Sequence, residues 1–149
     1  MHGPPFEKPS SVSGYLEAMS MIIMTTGINW KVVEAKWGGI RDAFLGFDID
    51  KVTAMTGDDV ERLMNDHRVV RNRRKIRAII DNAATIAKLD REHGGFDRYL
   101  RAQGSYEGAV GALKRDFAFM GDSTAYYFLA MVGETVPDWE GHGHHGQSR

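Results

Sequence analysis

Apolar residues recur along this chain at spacings of three and four, and no stretch alternates apolar and polar over a strand's length. Leu16, Met19, Ile23 and Thr26 share one face of a helix predicted over 14–26, and Gly27 stands where a C′ glycine ends one. Asn29 can cap a second helix, whose seam Trp30, Val33, Trp37, Ile40 and Phe44 alternates by three and four around Gly38 and Gly39. A short helical turn follows around Ile49, Val52 and Met55. Thr56 to Asp59 then resembles a capping box, with Asp in place of Glu, ahead of Val60, Leu63 and Met64. Ile76, Ile79, Ile80 and Ala83 fall at i, i+3, i+4 and i+7 of a long helix that ends near His93, Gly94 and Gly95. Shorter helices follow over 96–100 and 106–114. A tight connection at 116–122 leads into a last helix over 123–132, stopped by Gly133. The pattern predicts an all-α fold, a compact bundle of seven or eight short helices without internal repeats. It places a flexible arm at 1–13, which holds all but one of the prolines, a domain at 14–133 and a loose Gly- and His-rich tail at 134–149.

Composition narrows the class. A length of 149 residues fits one compact domain, and 42% hydrophobic with 26% charged residues is ordinary for a soluble globular protein. The absence of cysteine excludes disulfides and thiolate metal sites, and fits a reducing compartment. No apolar run approaches the ~20 residues of a membrane span, and residues 1–14 lack a signal-peptide core. A cytoplasmic protein with no membrane partner is the expectation.

A formal net charge of −1 makes any basic cluster a local feature. One exists: Arg68, Arg71, Arg73, Arg74, Lys75 and Arg77 crowd into ten positions at the start of the long helix. A helix N-terminus carries the positive end of the macrodipole and disfavours cations, so something must offset that placement. A bound phosphate would do so; a solvated face with an Arg77–Asp81 pair is the plainer alternative. The connection FAFMGDSTAYYF offers a second anion site. Gly121 permits a sharp turn, and the amides of Gly121, Asp122, Ser123 and Thr124 would point out of the start of the last helix. The run G-D-S-T-A fits the second half of a phosphate-holding helix-hairpin-helix pattern, G-h-G-x-x-T-A, with Phe119 where the first glycine is usual. Asp122 is an awkward neighbour for a phosphate, and its plain role is an N-cap in an ordinary helical corner.

Three segments, GINWKVVEAKWGGIRDAFLGFD (27–48), DVERLMNDHRVVRNRRKIRAIIDNA (59–83) and LKRDFAFMGDSTAYYFLAMVG (113–133), together resemble the 3-methyladenine DNA glycosylase I family of helix-hairpin-helix glycosylases. The resemblance covers roughly 14–133. It implies an enzyme that flips a damaged base out of duplex DNA and hydrolyses its glycosidic bond, with no cofactor and no obligate protein partner. Arg71, Arg73, Arg74 and Lys75, with Gly121, Ser123 and Thr124, would grip phosphates. Trp30 matches the tryptophan that stacks on the base, beside its plain role in the core seam. No lysine sits in the hairpin to attack the sugar, so a monofunctional enzyme is implied.

The departures are specific. The family's base-reading glutamate falls eight positions before that tryptophan, and Ile22 stands there. The family's pocket tyrosine has no counterpart, and its zinc site of two cysteines and two histidines cannot form. The superfamily's catalytic aspartate lies about eighteen residues past the hairpin; that spacing lands near His142, with Asp138 and Glu140 as the nearby carboxylates. Asp138 is therefore one catalytic candidate, and Glu17, which matches a family glutamate other than the base-reading one, is the other. His142, His144 and His145 are weak metal candidates, against a plainly disordered tail. Two rival readings follow: a lesion sensor that binds DNA without catalysis, and a glycosylase of changed base specificity.

Overall fold

The computed structural model describes residues 7–138. Among them are eight α-helices and no strand: α1 Val12–Thr25, α2 Trp30–Ala43, α3 Ile49–Thr53, α4 Gly57–Met64, α5 Arg73–His93, α6 Phe96–Arg101, α7 Tyr106–Asp116 and α8 Asp122–Met131. A 3₁₀ turn, Leu45–Phe47, joins α2 to α3. No helix among the described residues is long and apolar enough to cross a membrane.

Local chemistry sets most boundaries. Ser11 caps α1 by accepting from the Gly14 amide, and the chain turns out of the helix at Gly27, whose φ is +74°. The Asn29 side chain accepts from the Lys31 amide at 2.8 Å to start α2. The Thr56–Asp59 capping box is formed with aspartate in the glutamate position. Asn72 caps α5 through the Lys75 amide, and Gly94, at φ +74°, ends it. The periodicity did not show the turn at 45–47, where Leu45, Gly46 and Phe47 all take positive φ. Packing holds it: Phe47 is fully buried and stacks on Phe44 and Trp37, with ring centroids 5.3 and 5.4 Å away.

α5 is the central strut, packed by α1, α3, α4 and α6, while α8 lies across α1 and α7. Its apolar face, Ile76, Ile79, Ala83 and Ile86, is completely buried. Below it Phe96 gathers Tyr15, Tyr99, Phe117 and Phe128 within 6.4 Å, so that α1, α6, α8 and the α7–α8 connection share one aromatic core.

The packed unit extends past 14–133 at both ends. Lys8 Nζ pairs with Asp97 at 2.8 Å, and Ser13 Oγ accepts from the Ile49 amide at 2.9 Å. On the other side the Glu134 amide donates to Leu129, its carboxylate pairs with Arg101 at 3.4 Å, and Tyr126 donates to the Pro137 carbonyl at 3.1 Å. A Cβ on Gly133 would lie 2.7 Å from the Lys8 nitrogen, so the two terminal segments touch there. Polar pairs and backbone bonds make these attachments, and a hydrophobic pattern does not register them. His142, His144, His145 and Glu140 lie outside the described residues.

Candidate base pocket and nucleic-acid interface

The hairpin is held from beneath by one buried amide. Asn82 on α5, 2% exposed, accepts from the Ala118 amide at 3.0 Å and donates to the Ala118 carbonyl at 3.2 Å. Both polar groups of that connecting residue are thereby satisfied away from water. The next residue, Phe119, has φ +59°. The backbone thus adopts the left-handed geometry for which a glycine is usual, at a cost on the order of 1 kcal/mol for a side chain. The Arg74 guanidinium lies over the Phe119 ring, 5.7 Å from its centroid, and joins the start of α5 to the hairpin. Gly121 is the N-cap of α8 and makes no side-chain cap, so the amides of the first turn face outward. Asp122 is the first helical residue, not the cap; its carboxylate reaches back to Lys114 Nζ at 2.8 Å.

The basic run divides into three groups. Arg68 makes a two-pronged pair with Asp66, and its hydrogen bonds hold that carboxyl down to about 2. Arg73 pairs with both oxygens of Glu61, whose carboxyl is lowered by that bond. Arg71, Arg74 and Arg77 are exposed. Lys75 corrects the sequence expectation. It is 4% exposed, and its Nζ donates to the carbonyls of Met24 at 3.2 Å and Thr26 at 2.6 Å. Its cation sits on the negative end of α1, which offsets its place at the positive end of its own helix. Lys75 is spent inside the molecule, its ammonium engaged by the carbonyls at the end of α1. Burial lowers its pKa.

Beside the hairpin a pocket of about 400 Å³ opens between α1, α2 and α8. Ile22, Thr25 and Thr26 form one wall, Trp30 the end, and Ser123, Thr124, Tyr127 and Met131 the other. That volume lies within the range of small-ligand sites. Trp30 is half-buried at the first position of α2, and its Nε1 is buried with no hydrogen-bond partner. The pocket and the outward amides therefore share the N-terminus of α8. The sequence reading missed Tyr127 and Asn82. Their signals were an aromatic on the polar side of a helix and an asparagine in an otherwise apolar stripe.

Neither candidate carboxylate enters this space. Glu17 accepts from Trp37 Nε1 at 2.9 Å and from Arg41 Nε at 3.3 Å, which ties α1 to α2. Asp138 is exposed beyond Pro137, and neither residue lines the pocket. Ile22 does line it, so that part of the wall presents an alkyl group. No group of three or more metal-binding side chains occurs among the described residues.

Comparison with known proteins gives one answer. The family model for methyladenine glycosylase matches residues 9–112. The DNA-3-methyladenine glycosylase of Haemophilus influenzae is 25% identical over 154 residues, covering 89% of this chain and 83% of that protein. DNA-3-methyladenine glycosylase 1 of Escherichia coli is 30% identical over 128 residues, covering 72% and 68%. The fold superposes on a crystal structure of 3-methyladenine DNA glycosylase I with a TM-score of 0.76, at 24% identity and over 88% and 84% of the two chains. The family match over residues 9–112 and the Escherichia coli relative show that the chain belongs to the methyladenine glycosylase family.

Proposed function

We propose that this protein removes an N-alkylated purine of the 3-methyladenine kind from duplex DNA by hydrolysing its N-glycosidic bond. One observation carries the reading: the Trp30 pocket and the open amides of α8 adjoin. Flipping a base requires its phosphate to be gripped within a nucleotide's length of the slot that receives the base. The amides of 122–124 would hold one phosphate, and Arg71 and Arg74 would hold the strand farther along. Arg73 joins them only by exchanging Glu61 for a phosphate.

The chemistry suits a pocket without a carboxylate. A purine alkylated on a ring nitrogen carries positive charge while attached to the sugar and leaves as a neutral base, so the leaving group needs no acid. Orientation and exclusion of bulk water then supply the catalysis. The hairpin holds no lysine to attack the sugar, so water is the acceptor and an abasic site the product.

Incubation with methylated duplex DNA, followed by chromatography of released bases, tests this. Free 3-methyladenine should accumulate, and Trp30→Ala should remove the release while non-specific duplex binding persists. Equal loss of both in the variant would make Trp30 a core residue only. Ile22 in the pocket wall favours a second reading, in which the protein holds lesions without excising them. Tight lesion binding with no base released on any alkylated duplex would select that reading.

A further inference from the structure

We infer that Lys75 is a positioning residue, which holds the α1–α2 wall of the pocket in register with the phosphate-gripping hairpin on the other side. The proposal rests on the reading that this pocket receives a base.

α1 ends without a basic residue in its last turn. The carbonyls there carry the negative end of the macrodipole and call for donors and cations. Lys75, 51 residues farther along the chain, supplies both through its bonds to the Met24 and Thr26 carbonyls. Burying an ammonium without a carboxylate is costly, so a position filled for packing alone would hold an apolar residue. What the cation anchors is a wall of the pocket. Thr26 is the extended C-cap of α1, and the chain then turns at Gly27 into the Asn29 cap of α2. Thr25, Thr26 and Trp30, from this one turn, all line the slot.

The residue before Lys75 reaches the other way. Arg74 lies over Phe119 of the hairpin, and Asn82, two turns farther along α5, bonds both polar groups of Ala118. Successive helix positions diverge by about 100°, so 74 and 75 serve the two walls from a single peptide unit. The distance between a gripped phosphate and the slot is therefore set at the start of α5. Without the Lys75 bonds the end of α1 frays and that distance is no longer fixed. Arg71, Arg74 and the outward amides of α8 are left as they are.

The test uses the full chain as wild type, Lys75→Met and Val110→Ala. The last opens a small cavity under α7, away from the pocket, and controls for lost stability. Each is assayed below its melting transition for single-turnover base release from methylated duplex. Binding is measured to undamaged duplex and to duplex carrying one 3-deaza-3-methyladenine, whose uncharged base keeps its glycosidic bond. Lys75→Met should slow release by about 10²-fold, the usual cost of a misplacement of about 1 Å. Its preference for the modified duplex should fall toward one while its affinity for undamaged duplex holds, and Val110→Ala should keep rate and preference. Wild-type rate and preference in Lys75→Met overturn the proposal. So does an equal loss in Val110→Ala, which would credit stability, or an equal loss of affinity for undamaged duplex, which would credit the grip. A preference lost in Lys75→Met, with no base released by the wild type, would support this proposal and sink the glycosylase reading. Release by the wild type that Lys75→Met leaves unaltered would do the reverse, and a wild type with neither release nor preference would overturn both.

Discussion

Replacing Lys75 with methionine separates a structural cation from a DNA-binding one. Methionine keeps the length and apolar stem, so packing against α1 is largely retained. What disappears is the pair of charge-assisted bonds from Nζ to the Met24 and Thr26 carbonyls. Hydrogen bonds to a charged group contribute about 1.5–3 kcal/mol each, and leaving a buried carbonyl unpaired costs about 1–3 kcal/mol. Relief from burying the ammonium offsets several kcal/mol of that sum, leaving a net loss near 2 kcal/mol. For a chain of this size the thermal midpoint should fall by about 4–8 °C. Urea unfolding would give the same loss as a lower midpoint at unchanged slope. Duplex binding measured between 50 and 200 mM salt is the second half of the experiment, because each phosphate contact adds about 0.9 to the slope of log K against log salt. Lys75→Met should leave the slope alone, whereas Arg71→Ala and Arg74→Ala should each lower it by about that amount. A methionine variant of wild-type stability whose slope falls by about 0.9 would refute the assignment and return Lys75 to the DNA.

Four shorter predictions follow from the geometry. Asn82→Ala strips both polar groups of Ala118 of their partner and should cost about 2–4 kcal/mol in urea unfolding; a change under about 0.5 kcal/mol would show that water replaces the amide. Gly133→Ala forces a side chain to φ +83° and against the Lys8 nitrogen, so at least about 1–2 kcal/mol should be lost, and a neutral result would place the 7–13 segment elsewhere. Glu17→Gln should leave base release nearly unchanged, because Glu17 is engaged by Trp37 and Arg41; a drop of about 10²-fold or more would mark it as a general acid or base after all. The carboxyls of Asp66, through Arg68, and of Asp97, through Lys8, titrate below their ordinary values, so the stabilisation they give is present above about 4 and lost as pH falls. The melting temperature should therefore drop between pH 3.8 and about 2, and a flat or rising profile there would contradict the pairings.

What was legible in the sequence is what neighbours in the chain decide. The Asn29 cap, the Thr56–Asp59 box, the Gly27 and Gly94 stops and the apolar face of α5 all depend on residues within one or two turns, and each formed as the spacing implies. The partners that decide a side chain's role lie farther away. Lys75 meets carbonyls 51 and 49 residues earlier, Asn82 meets a backbone 36 residues later, and Glu17 meets Trp37 across 20. A basic run looks uniform in sequence, yet Arg68, Arg73 and Lys75 have three different sets of partners, while Arg71, Arg74 and Arg77 are exposed. Trp30 was named through the family resemblance, the helical seam alone giving it only a packing role, and it lies at the pocket. Tyr127 was not, because a helix-compatible aromatic gives no sign that the space beside it is empty.

Phe119 changes what the hairpin brings to an encounter with DNA. A glycine in its place would reach the same dihedral angles with less strain, but would leave the loop free to explore many others, and that freedom would be lost on binding. With a phenylalanine locked under Arg74 and its preceding residue bonded to Asn82, the entropy is surrendered during folding, long before a phosphate arrives. In the proposed complex the strand then meets a template that is already set. Affinity from this element should accordingly be carried by a slow off-rate that is nearly independent of loop dynamics.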